Sequence, residues 1–340
     1  MMKVAVVTKA KAAIKIEERE TPRPQAGEVL IRVKACGVCH GDLDLQQGAF
    51  PYGDIAAYPV IPGHEVAGVV AVVGDGVDWP KTGMRVGMPW LYSSCGHCAA
   101  CLAGEGAMCA EAQITGVTKD GGFAEYMIAP ASHVSVIPDG LDFAEAAPLM
   151  CAGLTVFRGL RNAEFQPGEK VAVIGMGGLG HLAIRYAKAM GGRVAVISRS
   201  PDKKKLSEEL GAELFIDGGK KDVAEKLRAW DGGADIILAT APSVKEMNAA
   251  FPGLARHGRL VVIGVADAGV MVKPLDLILG ERKVVGSLIG SRKDIQDCLE
   301  FSLAHGIRPE IETFALEEAG EAIQRMKNGN LKGRAVIVME

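Results

Sequence analysis

VAVIGMGGLGHLAIRYAKAM, residues 171–190, joins a short apolar run to a glycine-rich turn and then to an amphipathic run. The first run reads as a buried strand and the last as a helix. Between them Gly175, Gly177, Gly178 and Gly180, with Met176 and Leu179 interposed, spell G-x-G-G-x-G. A lone glycine cluster is weak evidence, because turns alone can require glycine. A strand before it and a helix after it make it a dinucleotide-binding turn. The first glycine permits the tight turn, the second lets the backbone approach a pyrophosphate, and the third allows close packing of helix on strand. The helix N-terminus then offers free N–H groups and a positive dipole end to the phosphates.

Working outward, RVAVIS (193–198), ELFID (213–217), ADIILAT (234–240), RLVVIGV (259–265) and KVVGSLIG (283–290) read as further strands, separated by helical runs. Apolar strands alternating with helices predict an α/β doubly wound parallel sheet of six strands. Upstream, short alternating runs such as VLIRVKACGV (29–38) and GHEVAGVVAVVG (63–74), punctuated by Gly and Pro, predict a β-rich domain. The texture changes near residue 145, where AEAAPLMCAGLTVFRGL (144–160) reads as a helix. The expected division is 1–149, 150–288 for the dinucleotide domain, and 289–340. This last part is too small for its own core and is expected to return to the first domain.

Cofactor choice is read at the end of the second strand, where an NAD site usually carries Asp or Glu for the ribose hydroxyls. Here the chain has Ser198-Arg199-Ser200 and then Lys203. No carboxylate stands there to repel a 2′-phosphate, and Arg199 offers a two-pronged donor. NADP(H) is therefore favoured over NAD(H). Asp202 nearby tempers this, and a solvated basic turn is the competing reading.

Among 340 residues, 38 Lys and Arg stand against 41 Asp and Glu, a net charge of −3 that gives no support for nucleic-acid binding. No apolar stretch approaches the length of a membrane span. The N-terminal run reads as a strand rather than a signal peptide, so a cytoplasmic protein is expected. There are eight cysteines, and four of them (Cys95, Cys98, Cys101 and Cys109) follow C-x₂-C-x₂-C-x₇-C within residues 91–112. That spacing lets four thiolates converge on one tetrahedral zinc, the closed structural kind of site. Cys39, His64 and Cys151 lie outside this lobe, and two thiolates, one imidazole and an open position is the arrangement of a catalytic zinc. Zinc lowers the pKa of an alcohol bound at the open position, and the alkoxide so formed releases hydride to a nicotinamide more readily. Cys36 and Cys298 read as packing residues. His97 and His181 read as structural or solvent-facing, and Lys203–Lys205 as largely a solvated helix face.

Taken together, CGVCHGDL, PGHEVAG, CGHCAAC with Cys109, GGFAEYM, PLMCAGLTVF, the glycine turn and GNLKGRAVIV resemble the zinc-dependent medium-chain alcohol dehydrogenases, in particular their cinnamyl alcohol dehydrogenase-like branch. Two cysteines and a histidine is the familiar catalytic-zinc set of that family. The resemblance implies a GroES-like first domain and two zinc ions per chain. It places Glu65 just behind the catalytic metal, as a transient ligand. It has Asp42 accepting the second N–H of His64, and His40 and Arg334 approaching the pyrophosphate. Thr155 would pack near the nicotinamide, Ile263 and Val265 would contact the cofactor, and Trp90 would wall the substrate pocket. It also implies a homodimer or homotetramer.

Two positions depart from the family. The residue two after the first ligand cysteine is usually Ser or Thr, whose hydroxyl hands the substrate proton away; here it is Gly41. The usual outlet histidine of that relay is replaced by Asp44. The expectation is a zinc-dependent enzyme interconverting primary alcohols, including aromatic and allylic ones, with their aldehydes, using water as the proton path. A polyol dehydrogenase of the same fold is the enzymatic alternative, disfavoured by His40 where those relatives tend to have glycine. A non-catalytic NADPH-binding zinc protein is the other.

Overall fold

The computed structural model describes residues 1–49, 55–266 and 268–339. The chain forms two compact units, Met1–Leu154 with Gly290–Glu340, and Thr155–Ile289.

In the second unit, strands Lys170–Ile174, Arg193–Ser198, Leu214–Asp217, Ala234–Ala239, Leu254–Val262 and Lys283–Gly286 form one six-stranded sheet. Numbered along the chain, their spatial order is 3-2-1-4-5-6, and every pairing is parallel. This is the doubly wound order, with its topological switch between the first and fourth strands. Val171–Ile174 and Val194–Ile197 are wholly buried, as strands covered on both faces must be. The sixth strand is shorter than its apolar run suggests and lies at the sheet edge.

The first unit is built on a seven-stranded sheet centred on Glu28–Gly37, which pairs antiparallel with Glu65–Val73, Tyr126–Pro130 and Arg334–Val338. The C-terminal strand thus threads into this sheet, with Val336 opposite Gly37 and Ile337 opposite Cys36. Val29, Ile31, Val33 and Val66 alternate inward with Phe123 and Ile337 to form the core. Residues 143–162 form one long helix interrupted by a π-helical turn at Leu149–Gly153. Among the described residues this is the one helix long and apolar enough to cross a membrane, and 72% of its span is buried inside the protein. It is therefore a core helix.

Candidate active site and metal centres

Three elements of the first unit bring one set of donors together. Cys39 caps the N-terminus of helix His40–Gln47, His64 and Glu65 open the strand Glu65–Val73, and Cys151 sits in the π turn. The ligand atoms of Cys39, His64, Glu65 and Cys151 all lie within 4.8 Å of one another. The two sulfurs are 4.0 Å apart. A disulfide needs about 2.05 Å, whereas a zinc tetrahedron with bonds of about 2.3 Å has sulfurs about 3.8 Å apart. The π turn matters because an i→i+5 turn re-aims the side chain it carries, and such turns recur at functional sites. Pro148, inside the preceding helix, lacks the N–H that a regular α-turn would use.

Asp42 holds the two ligand-bearing loops in register. Its Oδ2 accepts from the Cys39 N–H at 2.8 Å and its Oδ1 from the Gly63 N–H at 3.0 Å. The His64 Nδ1 lies 3.6 Å from Oδ1, too long for a hydrogen bond, so the carboxylate acts on the ring through its charge. Burial alone would depress His64, but Asp42 and the Cys39 sulfur raise it well above the ordinary histidine value. Cys39 is held well below the usual thiol value by the Cys151 thiol, with His64 and Arg334 assisting, while Cys151 is pushed up by its bond to Cys39 and by burial. The two thiols are thus driven apart in acidity, and metal binding to both would displace their protons.

Behind these donors, Arg334 donates from Nη2 to Glu65 Oε1, with both side chains buried. The guanidinium expected near the pyrophosphate is thus engaged with Glu65. The second oxygen, Oε2, has no hydrogen-bond partner among the described residues, nor has Arg334 Nε. Burial pushes Glu65 up to about 7 despite Arg334. A buried carboxylate oxygen without a donor, beside two sulfurs and an imidazole, fits a cation. Gly37 makes this arrangement possible: a Cβ there would lie 1.9 Å from Glu65 Oε2. Nothing in the sequence around Gly37 signals this, because the carboxylate arrives from the neighbouring strand.

Gly41 lies against the imidazole. A Cβ added there would meet His64 Cε1 at 3.1 Å. His40 is exposed, and Trp90 is partly buried against Leu45, Val60, Ile114 and Val117.

The second cluster joins Cys95, Cys98, Cys101 and Cys109, again within 4.8 Å of one another. Cys95 and Cys101 sulfurs are 3.9 Å apart, and Cys98 N–H and Glu111 N–H donate to Cys95 and Cys109 sulfurs at 3.4 and 3.3 Å. Such donors suit thiolates that carry metal charge. With four sulfurs there is no place left for substrate.

In the second unit, Gly175 has φ +95°, and a Cβ there would clash with Ala241. A Cβ at Gly180 would meet the Gly175 carbonyl at 2.1 Å, whereas Gly177 faces open space. That division is what a pyrophosphate cradle needs: two glycines for packing and one for access. Gly178 and Leu179 complete the turn into the helix Gly180–Ala189. Ser198 is buried at the end of the second strand, its Oγ accepting from Ser200 N–H at 3.2 Å. Arg199 is exposed and pairs with Glu246, a residue that sequence reading did not single out. Lys203 is partly buried, Thr155 buried, Ile263 partly buried and Val265 exposed.

Residues 25–139 match the alcohol dehydrogenase GroES-like domain family and residues 178–304 the zinc-binding dehydrogenase family. The chain is 43% identical to an alcohol dehydrogenase of Geobacillus stearothermophilus, over 100% of this chain and 99% of that one. The chain belongs to the zinc-dependent medium-chain alcohol dehydrogenases. Its backbone is also similar to that of a cinnamyl alcohol dehydrogenase from Sorghum bicolor (TM-score 0.89, 31% identity, 99% and 98% covered). A further likeness is to CAD from Helicobacter pylori complexed with NADP(H) (TM-score 0.88, 29% identity, 99% and 98% covered). This dehydrogenase therefore carries the two-part architecture of its family, a GroES-like unit and a six-stranded dinucleotide-binding unit.

Proposed function

We propose that this dehydrogenase interconverts primary alcohols, including aromatic and allylic ones, with their aldehydes, preferring NADP(H). The observation that carries the reaction is the convergence of Cys39, His64 and Cys151 with Glu65, whose Oε2 has no hydrogen-bond partner among the described residues. Zinc held by the three ligands supplies Lewis acidity, acidifying a hydroxyl or polarising a carbonyl in its open position. Asp42 fixes the Cys39 and Gly63 backbones, and so sets the ligand geometry. Arg334 holds Glu65 in reserve behind the ligands. The Cys95–Cys109 lobe takes a second, structural zinc.

Cofactor preference rests on Ser198, where a ribose-binding carboxylate would otherwise stand, and on the exposed Arg199 beside it. Without a hydroxyl at Gly41, the substrate proton leaves through water. Self-association into a dimer or tetramer is supported by Leu275, Ile278 and Leu279, each more than 60% exposed on the helix Pro274–Gly280. Eight free cysteines, four with metal-binding spacing, support a reducing compartment such as the cytoplasm.

The test is kcat/KM over a panel of alcohols and aldehydes with NADPH and NADH, together with zinc content per chain. Two zinc ions and a clear NADPH preference on primary substrates are expected. A clear NADH preference overturns the cofactor assignment, and turnover undiminished after chelation of all zinc overturns the reaction.

A further inference from the structure

Glu246 is a buried acid without an evident structural purpose. It lies in the first turn of the helix Val244–Ala250 and is 5% exposed. A helix N-terminus tolerates negative charge, but seven residues of helix do not explain burying a carboxylate. Its place in the sheet is more informative. Oε1 is 3.3 Å from where a Cβ of Gly218 would be, and Gly218 N–H donates to the Ser198 carbonyl. Ser198 and Asp217 are paired across the ends of the second and third strands. Glu246 therefore reaches the strand end where cofactor identity is read.

There it meets one cation. Oε1 lies 3.0 Å from Nε of Arg199, and takes no well-aimed hydrogen bond from any described residue. The contact is a charge pair made on the inner edge of the guanidinium. Arg199 is 72% exposed, and its terminal Nη groups have no other partner among the described residues. An arginine held by Nε keeps its two-pronged outer edge for a second anion.

We propose that Glu246 is a positioning residue for cofactor choice, fixing Arg199 by its inner edge so that its outer edge is preset for the 2′-phosphate of NADP(H). This rests on the NADP(H) reading above. Fixing a long side chain before binding removes an ordering cost of about 0.5–1.5 kcal/mol, which corresponds to about two- to twelve-fold in affinity. The opposing effect is direct repulsion between Glu246 and the phosphate, so the sign of the change is the test.

Glu246→Gln keeps the shape and removes the charge. Its KM for NADPH and its Kd for 2′-AMP should rise about two- to twelve-fold, with kcat at saturating NADPH, KM for NADH and Kd for 5′-AMP unchanged. Adding Arg199→Ala to Glu246→Gln should give the same KM for NADPH as Arg199→Ala alone, because Glu246 acts only through Arg199. Glu246→Asp, too short to reach Nε, should reproduce the loss if the Gln variant does not fold. If the wild type prefers NADPH and these variants bind it equally well or more tightly, the role of Glu246 is refuted while the cofactor reading stands. If the wild type prefers NADH and does not bind 2′-AMP, the cofactor reading fails and takes this proposal with it.

Discussion

Gly37→Ala adds a single methyl group in the second rank of the zinc site, and its consequence can be worked out from the geometry. The new Cβ would lie 1.9 Å from Oε2 and 2.9 Å from Cδ of Glu65. The strand cannot step aside, because Gly37 is paired with Glu65 on one side and Val336 on the other. The carboxylate must leave, and Arg334 is then buried without its anion. Breaking one side of a buried ion pair costs about 3–5 kcal/mol. At about 2–4 °C per kcal/mol for a unit of this size, the melting temperature should fall by about 6–20 °C. Backbone preference contributes little, since Gly37 is not in the left-handed region. The control is Glu65→Ala, which removes the carboxylate by another route. In that background the two closest clashes of Gly37→Ala are gone and the nearest remaining contact is the Cβ of residue 65, at 3.0 Å, so its further cost should be small. Chemical denaturation of the four proteins of this cycle, with zinc content measured in parallel, reads the coupling. If the two substitutions add, Gly37 does not act by admitting Glu65 and the reasoning is wrong.

Gly41→Ser should quicken alcohol oxidation near neutral pH and shift its pH–rate profile, because a hydroxyl is restored at the usual relay position. Gly41→Ala presents the same Cβ at 3.1 Å from His64 without the hydroxyl, so a gain shared by both variants would mean that crowding of the ring is responsible. His133, hydrogen-bonded to Ser94 and Ser132, is depressed to about 4 by burial and by Arg292. Its folded value lies below its unfolded 6.5, so its contribution is complete above about pH 6.5 and is lost as pH falls toward 4. Melting curves of wild type and His133→Gln should accordingly converge on acidification; parallel curves count against this. Cys101→Ser should release one zinc per chain and lower thermal stability well before it lowers kcat, and equal loss of both would give the lobe a part in the chemistry. Ile278→Glu, on the exposed face of the helix Pro274–Gly280, should shift sedimentation toward a smaller species, whereas an unchanged species would place self-association elsewhere.

What was legible in the sequence was local. The cysteine lobe places its four donors within fifteen residues, and the glycine turn announces itself through the strand and helix that flank it. The distant set of Cys39, His64 and Cys151 was reachable because each residue sits in a motif of known kind. The contact that ties its supporting residues together was not. Arg334 and Glu65 are 269 residues apart, and they meet only because the last strand inserts beside Glu28–Gly37. The π turn leaves no mark on apolar periodicity, so the run around Cys151 reads as ordinary helix. Glu246 is one carboxylate among many along the chain, and only the folded sheet brings it to the end of the second strand.

Gly37, Glu246 and the pairing of Arg334 with Glu65 share a physical character that explains both why they matter and why they hide. Gly37, Arg334 and Glu246 do not present reactive atoms to a substrate; each constrains another group that does or could. Such constraint depends on close approach across strands, to tolerances of tenths of an ångström, while the identity of the constraining residue can be as bland as glycine. The candidate zinc ligands follow coordination chemistry, which limits them to a few residue types at recognisable spacings. The groups behind them are dictated by packing, and packing is a property of the assembled sheet. Glu65 shows the two regimes meeting: its oxygen Oε1 is paired with a packed arginine, and its oxygen Oε2 lies over Gly37 with no hydrogen-bond partner among the described residues. An acid tied on both sides would be only structural, and one tied on neither would not remain ionised in a dry interior. Held by one oxygen, it leaves the other without a donor among the described residues, and that half-satisfied state depends on Gly37 and Arg334 together.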